Sequence, residues 1–290
     1  MDSGKPVNFL FLFPDQHRPD WLGSIKGAPL RTPVLDRLAR DGTRFTNAVT
    51  PSPLCAPARA ALAAGKEYDE CGVPNNRKDY PLDQSTYYQA LRSEGYRVAG
   101  VGKFDLHKAS LDWGRDGSRL LSEWGFTEGV DNEGKIDGST SYRKNPDDPP
   151  GPYLRALKEH GLAEAYAREH EDRGHCRGAY TSVVPDDLYC DNWLTENGLQ
   201  MLRDFPQGQP WHLVVNFTGP HNPMDVTPSM RGRWHTETLP APHGNEDPCF
   251  TDDDHQRNRQ NYAAMVENID RLCGRLIDTV RERGELENTV

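Results

Sequence analysis

The sequence predicts an α/β fold, a mainly parallel central sheet flanked by helices, on three observations. Nearly continuous apolar runs recur at Val7–Phe13, Tyr96–Val101 and Trp211–Phe217. Runs of this length without polar alternation suit strands covered on both faces, as parallel sheets are. Each run breaks off into a polar loop, and helical patterns lie between the runs, as crossover-connected parallel strands require.

In chain order, the first run stops at Pro14-Asp15-Gln16-His17-Arg18-Pro19-Asp20. Thr32-Pro33 then opens a helix with Leu35, Leu38 and Ala39 on one face, ended by Gly42. Thr43–Val49 is expected to form a short strand. In Pro53-Leu54-Cys55-Ala56-Pro57-Ala58-Arg59-Ala60-Ala61-Leu62 the alanines favour helix, and Pro57 reads as its first-turn proline. Cys55 therefore sits at a helix N-terminus, where unpaired N–H groups and the macrodipole favour anions. Arg59 lies about one turn on. A nucleophile beside a fixed cation suits chemistry on an anionic ester; a buried cysteine with a surface arginine is the other reading of this segment alone.

Ser85 or Thr86 caps a further helix closing at Gly95. From Phe104 to about Pro185 the pattern dissolves into Gly-, Asp- and Trp-rich loop with one helix near Tyr153–His170; a loop so long is expected to cover a site. Trp113, Trp124 and Tyr142 within it suit either stacking on a substrate or a core of the lid itself. Residues 224–256 read as irregular, and Asp252-Asp253-Asp254 as a solvated loop. Tyr262, Met265, Ile269, Leu272, Leu276 and Val280 then form a helical stripe, closed by Gly284, that belongs to the core. With no repeat or low-complexity linker, residues 1–290 form one domain carrying an insertion at about 104–185.

Lys and Arg total 34 against 44 Asp and Glu, a net charge of −10. That balance argues against nucleic-acid or anionic-membrane binding, while a small anion feels only the charge of its own cleft. No apolar run approaches the ~18 residues of a membrane span. The first residues lack a signal-peptide layout, which sets the expectation of a cytoplasmic protein. Six cysteines without a CxxC pair argue against a zinc knuckle or disulfide framework.

Asp15, Lys103 and His221 each follow the C-terminal end of an expected strand, the edge at which parallel α/β sheets bind ligands. Asp15-Gln16 could offer oxygen ligands to a hard cation. Lys103 could hold a phosphate or sulfate, and His221, fixed between two prolines, suits an acid or anion ligand. Asp105 and His107 lie nearby without a signal of their own. Competing motifs fail on spacing: Cys55 to Arg59 is too short for a Cys-phosphatase loop, Gly95 to Lys103 misses the P-loop, and His170-Glu171 with His175 misses HExxH.

Cys55-Ala56-Pro57-Ala58-Arg59 resembles the sulfatase signature CxPxR, in which the cysteine is converted to formylglycine. Asp15-Gln16 resembles the family's first metal element. Thr32–Ala39 with Gly42 and Phe45 resembles TPNLDRLAxxGxxF, Gly95-Tyr96 with Gly102-Lys103 resembles GYxTxxxGKWHL, and Pro220-His221-Asn222-Pro223 resembles PHxP. Tyr262–Gly284 resembles the helix preceding the family's second metal motif. The resemblance covers nearly the whole chain and implies a type I sulfatase with an alkaline phosphatase-like fold, hydrolysing a sulfate ester.

It further implies that Cys55, as hydrated formylglycine, attacks sulfur with one hydroxyl, and that loss of the other hydroxyl's proton expels sulfate. Cys55, Arg59, Lys103 and His221 are the implied catalytic residues, with Lys103, His221, Asn76 and His107 binding substrate. Asp15, Gln16 and Cys55 are the implied ligands of a divalent metal, calcium first, with magnesium or manganese as alternatives. The implied partners are a small sulfated sugar or aryl compound and a formylglycine-generating maturase.

Three departures stand out. Ala58 replaces the usual serine, Asp105 stands where the family commonly has histidine, and the family continues beyond Val290 into a second metal pair. The chain is therefore expected to be an N-terminal catalytic portion. The alternatives are a phosphonate monoester or phosphodiester hydrolase of the same superfamily and a non-catalytic truncated paralogue.

Overall fold

Four parallel strands form the central sheet in the order β1-β5-β2-β3: β1 (Phe9–Phe13), β2 (Arg97–Gly102), β3 (Glu128–Asp131) and β5 (Trp211–Asn216), with β4 (Ala179–Thr181) and β6 (Met224–Val226) pairing as a separate parallel ribbon. These elements belong to a computed structural model that describes residues 5–172, 178–244 and 250–290. The helices are α1 (Pro33–Asp41), α2 (Cys55–Ala64), α3 (Tyr87–Ser93), α4 (Lys135–Lys144), α5 (Pro152–Glu159), α6 (Ala163–Asp172), α7 (Cys190–Asp204), α8 (Pro228–Arg231) and α9 (Asp252–Glu282).

The all-parallel register, with Phe9 opposite His212 and Arg97 opposite Trp211, brings Phe13, Asn216 and Gly102 level at one edge. β5 is buried throughout because it is central and covered on both faces. β1 differs from the buried strand its run suggests: it is half-buried, since it lies at the sheet's side, where β5 is its one partner strand among the described residues, with the Asn8–Thr289 bridge and a Leu10 N to Val290 O bond on its other side. One apolar layer packs α2 and α3 against the sheet through Ala60, Tyr88, Phe126 and Val214; on the other face, α7 and α9 pack through Leu199, Leu213, Leu272 and Leu276. The predicted stripe of α9 is buried along its length.

Gly102 shows why the site edge tolerates little change. Its φ is +108°, and a Cβ there would lie 1.9 Å from the Asn216 carbonyl oxygen. Only glycine allows β2 to pass so close to β5 as Lys103 N donates to Asn216 O at 3.0 Å.

Several expectations are corrected. Thr43–Val49 is not a strand; Phe45 and Val49 are exposed and no strand among the described residues pairs with the segment. Leu38, placed with Leu35 on the inner face of α1, is exposed. The stretch 104–185 is not one loop with a single helix: it carries β3, α4, α5, α6 and β4, and α4–α6 have their own core around Tyr153, Leu157 and Tyr166. Trp113, Trp124 and Tyr142 are buried, which makes them packing residues. Residues 224–256 contain β6 and α8, and Asp252–Asp254 form the first turn of α9, where Thr251 and Asp254 make a capping box. Thr86 is the cap of α3, with Gln89 completing the same motif. Cys55, Cys71, Cys190 and Cys273 are free thiols; Cys176, Cys249 and the failed HExxH partner His175 lie outside the described residues. Among the described residues no helix is long and apolar enough to cross a membrane.

Candidate active site

The loops after β1, β2 and β5 are laced together before any functional side chain is considered. Phe217 N donates to Phe13 O at 3.0 Å and Asp15 N to Gly219 O at 3.0 Å. Buried Asp191, from α7, accepts from Thr218 N, Thr218 Oγ1 and Gly219 N at 2.7–3.2 Å. That bracket fixes the segment leading into His221.

α2 begins at Cys55 with Pro57 in its first turn and closes on the left-handed Gly65. Leu54 cannot cap it, so the orphan Ala56 N–H donates to Asn76 Oδ1 at 3.0 Å. Asn76 thereby joins Cys55, Lys103 and His221 in lining a cleft of about 180 Å³. One ligand atom each from Asp15, Cys55 and His221 lies within 4.8 Å of the other two.

Beneath the cleft runs a buried ionic lattice. Lys103 Nζ lies 2.5 Å from Asp15 Oδ2 and 3.1 Å from Asp105 Oδ2. Arg59 is buried; its Nη2 stands 3.3 Å from Asp15 Oδ2, and its Nη1 donates to Lys103 O at 2.5 Å and Asn216 Oδ1 at 3.2 Å. The guanidinium also lies 5.0 Å from the Phe13 ring centre. Burial opposes ionisation of Asp15, but Lys103, Arg59 and His221 outweigh it and hold the carboxyl below the usual carboxylate range. Burial likewise penalises the Lys103 ammonium, and Asp105 with Asp15 more than restores it. Burial first and Lys103 second push His221 down, favouring the neutral ring. Its Nδ1 donates to Asn222 O at 2.7 Å, which leaves Nε2 as the acceptor of that tautomer.

The structure brings Cys55, Asn76, Lys103 and His221 to one cleft, with Asp15 beside them and Arg59 directly behind. Gln16 is exposed at φ +63°, its carbonyl accepting from the Tyr262 hydroxyl at 2.8 Å. His107 is the departure: it does not line the cleft. Its Nε2 is 2.6 Å from Asp131 Oδ2, and the ring packs edge-on against Trp113 and Trp124, so an internal ion pair takes the place of the expected substrate contact.

Sequence reasoning missed Lys108, Lys135 and Asp137, which complete the wall. Lys135 is buried, 2.5 Å from Asp225 Oδ1 and 3.2 Å from the Tyr189 hydroxyl. Lys135 and Asp137 follow β3 as Lys103 follows β2, so the same strand-end rule finds them once β3 is known. The run Glu128-Gly129-Val130-Asp131 is too polar to announce that strand.

The donor set suits a cation. Asp15 is an ionised carboxylate, His221 is neutral, and Lys103 and Arg59 balance the carboxylate when no metal is considered. A thiol is a soft ligand poorly matched to calcium or magnesium, whereas an oxygen in its place would give the harder set these ions prefer.

Comparison with known proteins supplies a family and a fold. The family model described as Sulfatase matches residues 8–290. The chain is 27% identical to a choline-sulfatase of Rhizobium meliloti (strain 1021), covering 100% of this chain and 57% of that protein. It is 24% identical to an arylsulfatase of Clostridium perfringens (strain 13 / Type A), over 99% of this chain and 61% of that one. Among solved structures, the phosphonate monoester hydrolase of Agrobacterium radiobacter superposes with a TM-score of 0.73 at 20% identity, over 98% of this chain and 61% of that one, a likeness of fold. The chain thus spans about three-fifths of the length of these proteins.

Proposed function

The chain belongs to the sulfatase family, and we propose that it forms the catalytic portion of a metal-dependent sulfate-ester hydrolase working from Cys55. The observation that carries this reading is the convergence of Cys55, Asp15, Lys103 and His221 from four separate segments on one cleft. The naming of both full-length relatives as sulfatases supports it.

Formylglycine at position 55, installed by a maturase, would supply an oxygen nucleophile where the thiol stands. Asp15 and residue 55, with Gln16 adjoining, would hold the divalent ion, calcium first and magnesium or manganese otherwise; the ion would supply Lewis-acid stabilisation of developing charge. Every remaining task falls to side chains of this chain. Lys103 grips a sulfate oxygen with an ammonium that Asp15 and Asp105 keep charged. Arg59 does not reach substrate; it fixes Lys103 through its carbonyl and Asp15 through its carboxylate. Asn76 pins the first turn of α2, holding residue 55 at the helix end where anions are favoured. His221, held by the Asp191 bracket, lines the cleft with a ring whose Nε2 is free to accept a proton or a hydrogen bond there. A sulfate ester spreads its charge over hard oxygens, so positioning and fixed positive charge do most of the work.

A phosphonate monoester or phosphodiester hydrolase is the second reading, favoured by the fold likeness to a phosphonate monoester hydrolase. Turnover of an aryl sulfate, a phenylphosphonate monoester and an aryl phosphodiester by one metal-loaded preparation separates the two. Preference for the sulfate in kcat/KM supports the proposal, and preference for either phosphorus ester overturns it. Absence of turnover of all three in a preparation carrying stoichiometric metal supports the non-catalytic paralogue instead.

A further inference from the structure

One cation in the cleft wall is absent from every motif that identifies the family. Lys108 lines the cleft with Lys103, and its side chain keeps 13% of its surface exposed against 4% for Lys103. It stands 3.3 Å from both oxygens of Asp105 and pairs with Asp137, in the first turn of α4. Asp105, which occupies the place of the family's usual histidine, therefore bridges two ammonium groups, its other partner being Lys103 at 3.1 Å. The carboxylate is buried and sits at φ +53°, a backbone conformation an ordinary residue adopts only when its surroundings hold it.

We propose that Lys108, held between Asp105 and Asp137, is a second anion-binding residue of the cleft and contacts the substrate's sulfate together with Lys103. Asp105 is the positioning residue that sets the spacing of the two ammoniums. The inference rests on the sulfate-ester reading only for the identity of the anion. Asp105 is shared, and each lysine has one further carboxylate, Asp15 for Lys103 and Asp137 for Lys108, so both ammoniums stay charged and fixed at the cleft wall. A lysine offers three donors, so Lys108 can meet its carboxylates and still direct a hydrogen toward the open cleft.

The test uses the metal-loaded protein with residue 55 left intact, and the probe is inorganic sulfate, a reaction product that is not turned over, so that anion affinity is measured apart from turnover. Removing a charge-assisted hydrogen bond from a buried anion weakens binding by about tenfold or more. Lys108→Gln should weaken sulfate binding at least tenfold, while Lys108→Arg stays within about threefold. Lys108→Gln with unchanged thermal stability and unchanged sulfate affinity overturns the proposal. Should Lys108→Gln fail to fold, amine acetylation of the parent protein decides: sulfate protecting Lys108 supports it, and equal labelling with and without sulfate overturns it. Failure of the sulfatase reading has a different signature, namely wild-type preference for a phosphorus ester with sulfate binding still dependent on Lys108.

Discussion

The Asp15 carboxylate and the Lys103 ammonium, 88 residues apart in the chain, meet at 2.5 Å beneath the cleft. Lys103 is buried and Asp15 nearly so, and the pairing offsets much of the cost of holding either charge there. The contact joins the loop after β1 to the loop after β2 across the intervening strand β5. It also reserves an ionised oxygen for a cation.

Asp15→Asn should therefore affect stability and metal response together. Loss of the carboxylate leaves Lys103 and Arg59 short of a counter-charge, at a cost on the order of 3 kcal/mol in denaturant-unfolding free energy. The rise in melting temperature on adding calcium should disappear in the same variant. A calcium-dependent rise of wild-type size in Asp15→Asn would remove Asp15 from the cation site.

Gly102→Ala tests the strand crossing that places Lys103. The added methyl would meet the Asn216 carbonyl far inside contact distance, and the residue's φ is positive. The variant should lose on the order of 3 kcal/mol or fail to accumulate as folded protein, as circular dichroism and thermal melting would show. Wild-type melting would mean that β2 and β5 do not approach as described.

His212 predicts a pH dependence. Burial pushes its imidazole down to about 4, and its Nδ1 has no hydrogen-bond partner among the described residues. A ring kept neutral in the fold stabilises fully above the unfolded value near 6.5, and the stabilisation fades as pH falls from there toward 4. Unfolding free energy should drop between pH 6.5 and 4.5 by on the order of 2 kcal/mol more in wild type than in His212→Phe. Parallel pH profiles for the two would contradict this.

Much of this architecture was legible in the sequence because its signals are local. Apolar runs marked β1, β2 and β5, the α9 stripe was plain, and strand ends pointed to Asp15, Lys103 and His221. What escaped depends on long-range partners. β3 is polar and short, its identity supplied by pairing with β2. Lys108 and Lys135 look like surface lysines until Asp105, Asp137 and Asp225 are seen to surround them. His107 sits two residues from a family motif position, yet Asp131 draws it inward, a contact no spacing reveals. The half-burial of β1 follows from its place at the sheet's side, which sequence periodicity does not encode.

In the proposed mechanism the nucleophile is an oxygen derived from Cys55. Mass analysis of the peptide carrying Cys55, taken from a preparation that hydrolyses an aryl sulfate, tests it most directly. Conversion of the cysteine to formylglycine lowers that peptide's mass by about 18 Da, a change no structural role of the thiol requires. The lighter peptide is expected, in proportion to activity across preparations. Full activity with Cys55 recovered entirely as the unmodified thiol would contradict it.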